Sequence, residues 1–128
     1  MKPVYDEAMP LLRVIRPGTT FTMHNDTLHL ASVNRNGIEE EFKDLSGGAR
    51  EQLALVVRIA LAKVFARQRL GLPLVLDDVL GWTDDRRLRG MLNVLEQTSR
   101  DMQVILLTCH PGRFRGIEGA ANFEVQRG

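Results

Sequence analysis

From Ala49 to Arg69 the chain offers almost no polar face: Leu53, Leu55, Val56, Val57, Ile59, Ala60, Leu61, Val64 and Phe65 all but surround a helix. A helix apolar nearly all round is buried, so other elements have to cover it. Gly71 and Pro73 end it, and the run Leu74-Val75-Leu76 that follows has the length and composition of a parallel strand covered on both faces. Thr83 then predicts the N-cap of a second helix, with Asp84 and Asp85 in its first turn and Leu88, Met91, Leu92 and Leu95 at i, i+3, i+4 and i+7. A second apolar strand, Val104 to Leu107, closes the pattern. Strands alternating with crossover helices predict an α/β sheet.

What precedes the long helix reads differently. Residues 4 to 16 predict a short helix with Leu11, Leu12 and Ile15 on one side, kept brief or kinked by Pro10 and stopped at Pro17-Gly18. The turn signals Asn25-Asp26 and Asn36-Gly37 divide Phe21 to Phe42 into three strand-like segments, an antiparallel meander. At the other end, Asn122 to Gln126 predicts a last edge strand. A length of 128 residues suits one domain rather than two cores.

Composition removes several classes of function. With 17 Lys+Arg against 16 Asp+Glu, the net charge of +1 creates no overall field for nucleic acid or an anionic membrane, so any DNA contact has to be local. The single cysteine, Cys109, excludes an internal disulfide and a multi-cysteine metal cluster. His24 and His29 fall in the meander without the carboxylate or cysteine spacing of a zinc site. No apolar run approaches a membrane helix, the start lacks the basic and apolar pattern of a secretory signal, and the expected location is the cytoplasm.

Three places carry chemistry. Ser46-Gly47-Gly48 opens the long helix, where glycines let backbone N–H groups approach a phosphate oxygen and Ser46 adds a hydroxyl donor; taken alone, the same residues are also an ordinary serine N-cap. Asp77 and Asp78 end the first apolar strand, the sheet edge at which α/β proteins place ligands and where carboxylates suit Mg²⁺ on a phosphate. Adjacent strand residues face opposite ways, which suits the pair to separate tasks, one holding a hydrated metal and the other orienting water. Alternatively one of them caps the next turn and the other is solvated. His110 follows the second strand, in reach of a phosphate or a water if it is more than a surface residue.

Taken in order, LSGGAREQLALVVRIALA, LPLVLDDVLGWTDD and VILLTCH resemble the signature motif, the Walker B strand with its D-loop, and the switch histidine of ABC-type ATPases, in the form found in the SMC, RecF and RecN-like coiled-coil branch. The resemblance covers residues 45 to 112 and extends through the meander and the closing strand. It implies the C-terminal lobe of an ABC-type P-loop ATPase head: one unit over 1–128, with 1–17 the end of a coiled-coil helix, 18–44 an antiparallel meander, and 45–128 the lobe of parallel strands alternating with helices. It further implies that Ser46, Gly47 and Gly48 touch the γ-phosphate of ATP held by an opposite head, that Asp77 holds Mg²⁺ through water, that Asp78 is the catalytic carboxylate, that Asp84 is the nucleotide-binding D-loop aspartate, and that His110 is the switch histidine.

Two departures qualify this carry-over. Many members have Glu where this chain has Asp78, and losing a methylene can misplace the water by about 1 Å, enough to cost about a hundredfold in rate. Nor does a GxxxxGK[ST] phosphate loop occur, since Lys2, Lys43 and Lys63 all lie outside glycine-rich turns. The expected partners are therefore an N-terminal Walker A half and a second ATPase head, with ATP and Mg²⁺ as ligands, no turnover by the chain alone, and a role in DNA repair, DNA maintenance or defence. A non-enzymatic half-head that regulates another ATPase is the alternative, and a metal-dependent phosphohydrolase built on Asp77 and Asp78 would leave the signature segment unexplained. Arg86, Arg87, Arg89, Arg113 and Arg115 are candidates for local DNA contact or, equally, solvated charges that serve solubility, so the DNA role rests on the resemblance; Trp82 is a candidate for packing across a head-to-head interface.

Overall fold

The computed structural model describes residues 2–24, 29–68, 71–117 and 119–125. Helix α1, Lys2–Ile15, buries Val4, Ala8, Met9, Leu11, Leu12 and Ile15, a stripe at helical spacing laid against α2 and α3. Pro10 lies inside α1 with its side chain exposed, so the helix runs on through it to Ile15. Arg16 N–H still reaches the carbonyl of Leu12 at 2.7 Å, and Gly18, at φ 77°, turns the chain away.

Three antiparallel strands follow in the order β1 (Thr19–Met23), β2 (Leu30–Arg35), β3 (Ile38–Glu41). The expected meander is there. Asn36 and Gly37 both adopt positive φ, 52° and 87°, the pattern that a two-residue turn needs to match strand twist. The Asn25-Asp26 turn signal lies outside the described residues. Phe21 and Val33 stand opposite each other in the ladder, both buried, and Phe21 meets Tyr5 of α1 at 5.2 Å between ring centroids. They dock the meander on the core. β3 is exposed along its whole length and carries Glu39, Glu40 and Glu41, charges that discourage pairing at a sheet edge.

A 3₁₀ turn, Phe42–Asp44, leads to α2, Gly47–Arg67. It buries Ala49, Gln52, Leu53, Leu55, Val56, Val57, Ile59 and Ala60, but not all round as expected: Arg50, Ala54, Arg58, Phe65 and Arg67 are exposed, and Arg67 pairs with Glu7 of α1. Strand β4, Leu74–Asp77, helix α3, Asp85–Thr98, and strand β5, Val104–Leu107, complete the order, and β4 pairs with β5 in parallel. Leu74, Leu76, Leu88, Met91, Val94 and Leu95 join the three helices in one core.

Three expectations need correction. The N-cap of α3 is Asp84, not Thr83: the Asp84 carboxylate accepts the Arg87 N–H at 2.9 Å, while the Thr83 side chain is drawn inward by partners on α2. The β4–β5 sheet is covered on one face only among the described residues, because Val75, Ile105 and Leu107 remain 41%, 37% and 45% exposed on the other. Finally, residues 122–125 form no strand. Phe123 and Val125 alternate like strand residues but are exposed, and an edge strand needs a neighbour's ladder to satisfy its backbone.

Candidate functional site

The residues singled out in the sequence gather in two clusters joined by one turn. The first sits at the carboxyl ends of β4 and β5. Asp77 ends β4 with its side chain exposed, and Asp78 continues the ladder by donating its N–H to the carbonyl of Leu107 at 2.9 Å. Asp78 has left the extended conformation, however, with φ at 49°. The expected strand alternation therefore stops at Asp77, and Asp78 lies in the turn beyond β4 rather than on the opposite face of the strand. Positive φ in a non-glycine residue costs about 1–3 kcal/mol, and such strain collects at functional sites.

The Asp78 carboxylate faces the next strand's exit. It accepts from the N–H of Cys109 and from its thiol, each at 3.4 Å. That hydrogen bond, followed by the charge of Asp78, raises the Cys109 pKa from its ordinary value. His110, exposed, comes next; its N–H donates to Thr108 Oγ1 at 2.9 Å, and it heads the 3₁₀ turn Pro111–Phe114. Asp77, Asp78 and His110 thus share one edge of the sheet.

Among the described residues no group of three His, Cys, Asp or Glu side chains converges as a metal cage. Mg²⁺ rarely needs one, since it keeps several waters and binds through one or two carboxylates plus substrate phosphates. Asp77, exposed at the end of β4, has the donor chemistry that such an ion takes.

The second cluster surrounds the N-terminus of α2. Ser46 caps the helix, its Oγ accepting from Ala49 N–H at 3.2 Å, which leaves the hydroxyl proton free to donate outward. Gly47 and Gly48 lie against the segment after β4. A β-carbon on Gly47 would come 3.4 Å from the Trp82 ring, and one on Gly48 would come 2.8 Å from the Trp82 carbonyl oxygen. Trp82 itself is 80% exposed beside them. Asp84, besides capping α3, pairs with Arg87 at 3.1 Å; the Arg87 N–H bond is the leading cause that lowers its pKa.

Between the clusters runs the turn Leu80–Thr83, fixed by Glu51 and Gln52, to which sequence reasoning gave no role, and by Arg113, which it gave a different one. One oxygen of Glu51 accepts from Trp82 N–H at 3.1 Å and from the Thr83 hydroxyl at 2.9 Å. Gln52, buried, donates to the Thr83 hydroxyl at 3.3 Å and accepts from Arg16 Nε at 2.9 Å. Burial, then the positive charges of Arg87 and Arg35, lower the pKa of Arg16. Arg113 donates to two carbonyls of the same turn, so it is not the free surface cation that DNA contact called for. A glutamine, Gln52, set in an apolar helical run was the sequence signal for this network.

No protein-family profile matches the chain. It is 38% identical over 118 residues to an uncharacterized protein of Mycobacterium tuberculosis, covering 90% of this chain and 13% of that one. It is 30% identical over 95 residues to the DNA double-strand break repair Rad50 ATPase of Thermoplasma acidophilum, covering 74% of this chain and 10% of that protein. The chain therefore spans about an eighth or less of the length of these relatives. Among solved structures, the SMC head domain from Thermotoga maritima superposes with a TM-score of 0.64 at 19% identity, over 84% of this chain and 38% of that one.

Proposed function

We propose, from the premise that this chain has the fold of the C-terminal lobe of an SMC-type ATPase head, that it supplies the signature, Walker B and switch-histidine elements of a site that hydrolyses ATP between two engaged heads. The observation that carries this reading is the division of its motif residues: Asp77, Asp78 and His110 share one sheet edge, while Ser46, Gly47 and Gly48 lie across the turn Leu80–Thr83, against Trp82. One cluster suits the nucleotide of its own head and the other the nucleotide of an opposite head.

Each residue then has a distinct task. Asp77 would hold Mg²⁺ through water, and the ion bound with ATP would supply positive charge against the phosphates. Asp78 accepts a proton from the water whose oxygen attacks the γ-phosphorus, as the bond to the ADP oxygen breaks. His110 donates a hydrogen bond to the γ-phosphate. Ser46 and the amides at the start of α2 receive the γ-phosphate of the opposite head. Trp82, Asp84 and the rest of the D-loop line that interface.

The phosphate loop comes from a Walker A half outside these 128 residues. The bare face of Val75, Ile105 and Leu107 suits that half, since a parallel sheet is normally covered on both sides. Among the described residues no helix is long and apolar enough to cross a membrane. Work on DNA in the cytoplasm, in repair, maintenance or defence, is the process we assign to it, on the likeness to Rad50.

A second reading has one observation in its favour. Asp78 is shorter than glutamate and is held by Cys109, an arrangement compatible with a half-head that pairs with and regulates another ATPase without catalysis. Mixing the chain with the matching Walker A half and measuring Mg²⁺-dependent ATP turnover separates the two. Turnover supports the first reading, and ATP-dependent association without turnover supports the second.

A further inference from the structure

The turn Leu80–Thr83 is closed by Thr83 N–H donating to the Leu80 carbonyl at 3.3 Å. Leu80 is fully buried and adopts φ 67°, a conformation that leucine holds only where its surroundings over-determine it. Arg113 stands in the 3₁₀ turn directly after His110. Its Nη1–H reaches the Leu80 carbonyl and its Nη2–H the Thr83 carbonyl, both at 2.6 Å. One planar fork therefore bridges the first and last carbonyls of a single turn. Among the described residues no carboxylate pairs with Arg113, so its hydrogen bonding is directed to the backbone. Hydrogen bonds from a charged donor are among the stronger ones, and a lysine ammonium lacks the fixed fork geometry.

Resting on the reading above, we infer that Arg113 is a positioning residue of the head. It ties the D-loop turn to the switch-histidine segment, so that Trp82 and Asp84 on one side and His110 on the other are presented as a single rigid unit. Glu51 and Gln52 hold the opposite side of the turn to α2; among the described residues Arg113 is the side chain that joins Leu80 and Thr83 themselves to the segment after β5. A head lacking this link would bind ATP normally but align the D-loop poorly with the nucleotide shared between heads.

The test has two arms. In the 128-residue chain, amide hydrogen exchange is followed at Thr83, with Val56 in α2 and Met91 in α3 as internal references. Arg113→Ala should speed exchange at Thr83 about tenfold or more relative to those references. Arg113→Lys, which keeps the charge and most of the stem, should give an intermediate value, and it decides the matter should the alanine variant not fold. Exchange at Thr83 equal to that of the parent in a folded variant overturns the inference. In a head reconstituted with its Walker A half, Arg113→Ala should lower kcat between about tenfold and a hundredfold while KM for ATP stays constant, and Arg113→Lys should recover part of the loss. A loosened Thr83 with kcat unchanged overturns the positioning role. If the parent head shows no turnover, the functional reading is what fails, and the exchange arm alone decides whether Arg113 secures the turn.

Discussion

Gly48 faces the carbonyl oxygen of Trp82 so closely that a β-carbon there would lie 2.8 Å from it, against backbone rather than a movable side chain. The second glycine of Ser46-Gly47-Gly48 therefore has a structural reason independent of any phosphate. Replacing an exposed glycine inside a helix by alanine ordinarily stabilises by about 0.8–1 kcal/mol. Here the sign reverses. Gly48→Ala should destabilise by about 1–3 kcal/mol, as overpacking does, whereas Gly47→Ala meets only the exposed Trp82 ring and should be close to neutral. Chemical denaturation of the two variants checks this, and equal midpoints would contradict it.

The uncovered sheet face makes a second prediction. Ile105→Gln should destabilise the chain by no more than about 1 kcal/mol, because the side chain is already 37% exposed. If the Walker A half covers this face, the same change should weaken association with that half by about tenfold, the loss expected for removing a buried aliphatic contact. Titration of the two halves reads it directly, and unchanged affinity would move the interface elsewhere.

Cys109, the one cysteine in the sequence, reports on Asp78. The Asp78 hydrogen bond and charge raise the thiol pKa, and since the thiolate is the nucleophile, alkylation should set in at higher pH than for a free thiol. Asp78→Asn removes the negative charge and should shift the alkylation profile to lower pH. A profile that does not move would mean that the carboxylate and the thiol do not meet in solution.

Much of this was legible in the sequence where the determinant is local. Asn36-Gly37 announces its turn because both residues tolerate positive φ, and the apolar runs announce β4 and β5 because each is short and bounded by breakers or polar residues, Pro73 and Asp77 for the first, Gln103 and Thr108 for the second. The placement of Asp77, Asp78 and His110 at one sheet edge follows from those strands. What was not legible is non-local. Glu51, Gln52 and Arg113 lie about 30 residues in sequence from the turn they hold, and nothing in their neighbours says that they point there. An apolar run also says that two faces seek cover without saying that these residues provide it, and the alternation of Phe123 and Val125 imitates a strand that has no partner here.

Ser46→Arg separates the two nucleotide faces. In the reconstituted head a guanidinium at the exposed start of α2 should fill the space meant for the opposite γ-phosphate, so ATP-dependent dimerisation should be lost while binding of ATP to each head's own phosphate loop persists. Loss of ATP affinity in the monomeric head would place Ser46 on the wrong side of the account.

The most direct measurement pairs ATP turnover with the dimer fraction, by size-exclusion chromatography in ATP and Mg²⁺, for Asp78→Asn in the reconstituted head. The amide keeps the size of the side chain and removes the charge that takes up the water's proton. Turnover should fall to background while the closed dimer accumulates, because hydrolysis is its exit. Asp77→Asn should instead weaken the Mg²⁺-dependent part of binding itself. Hydrolysis by Asp78→Asn at the parent rate would contradict the central claim, since Asp78 would then not be the carboxylate that activates water.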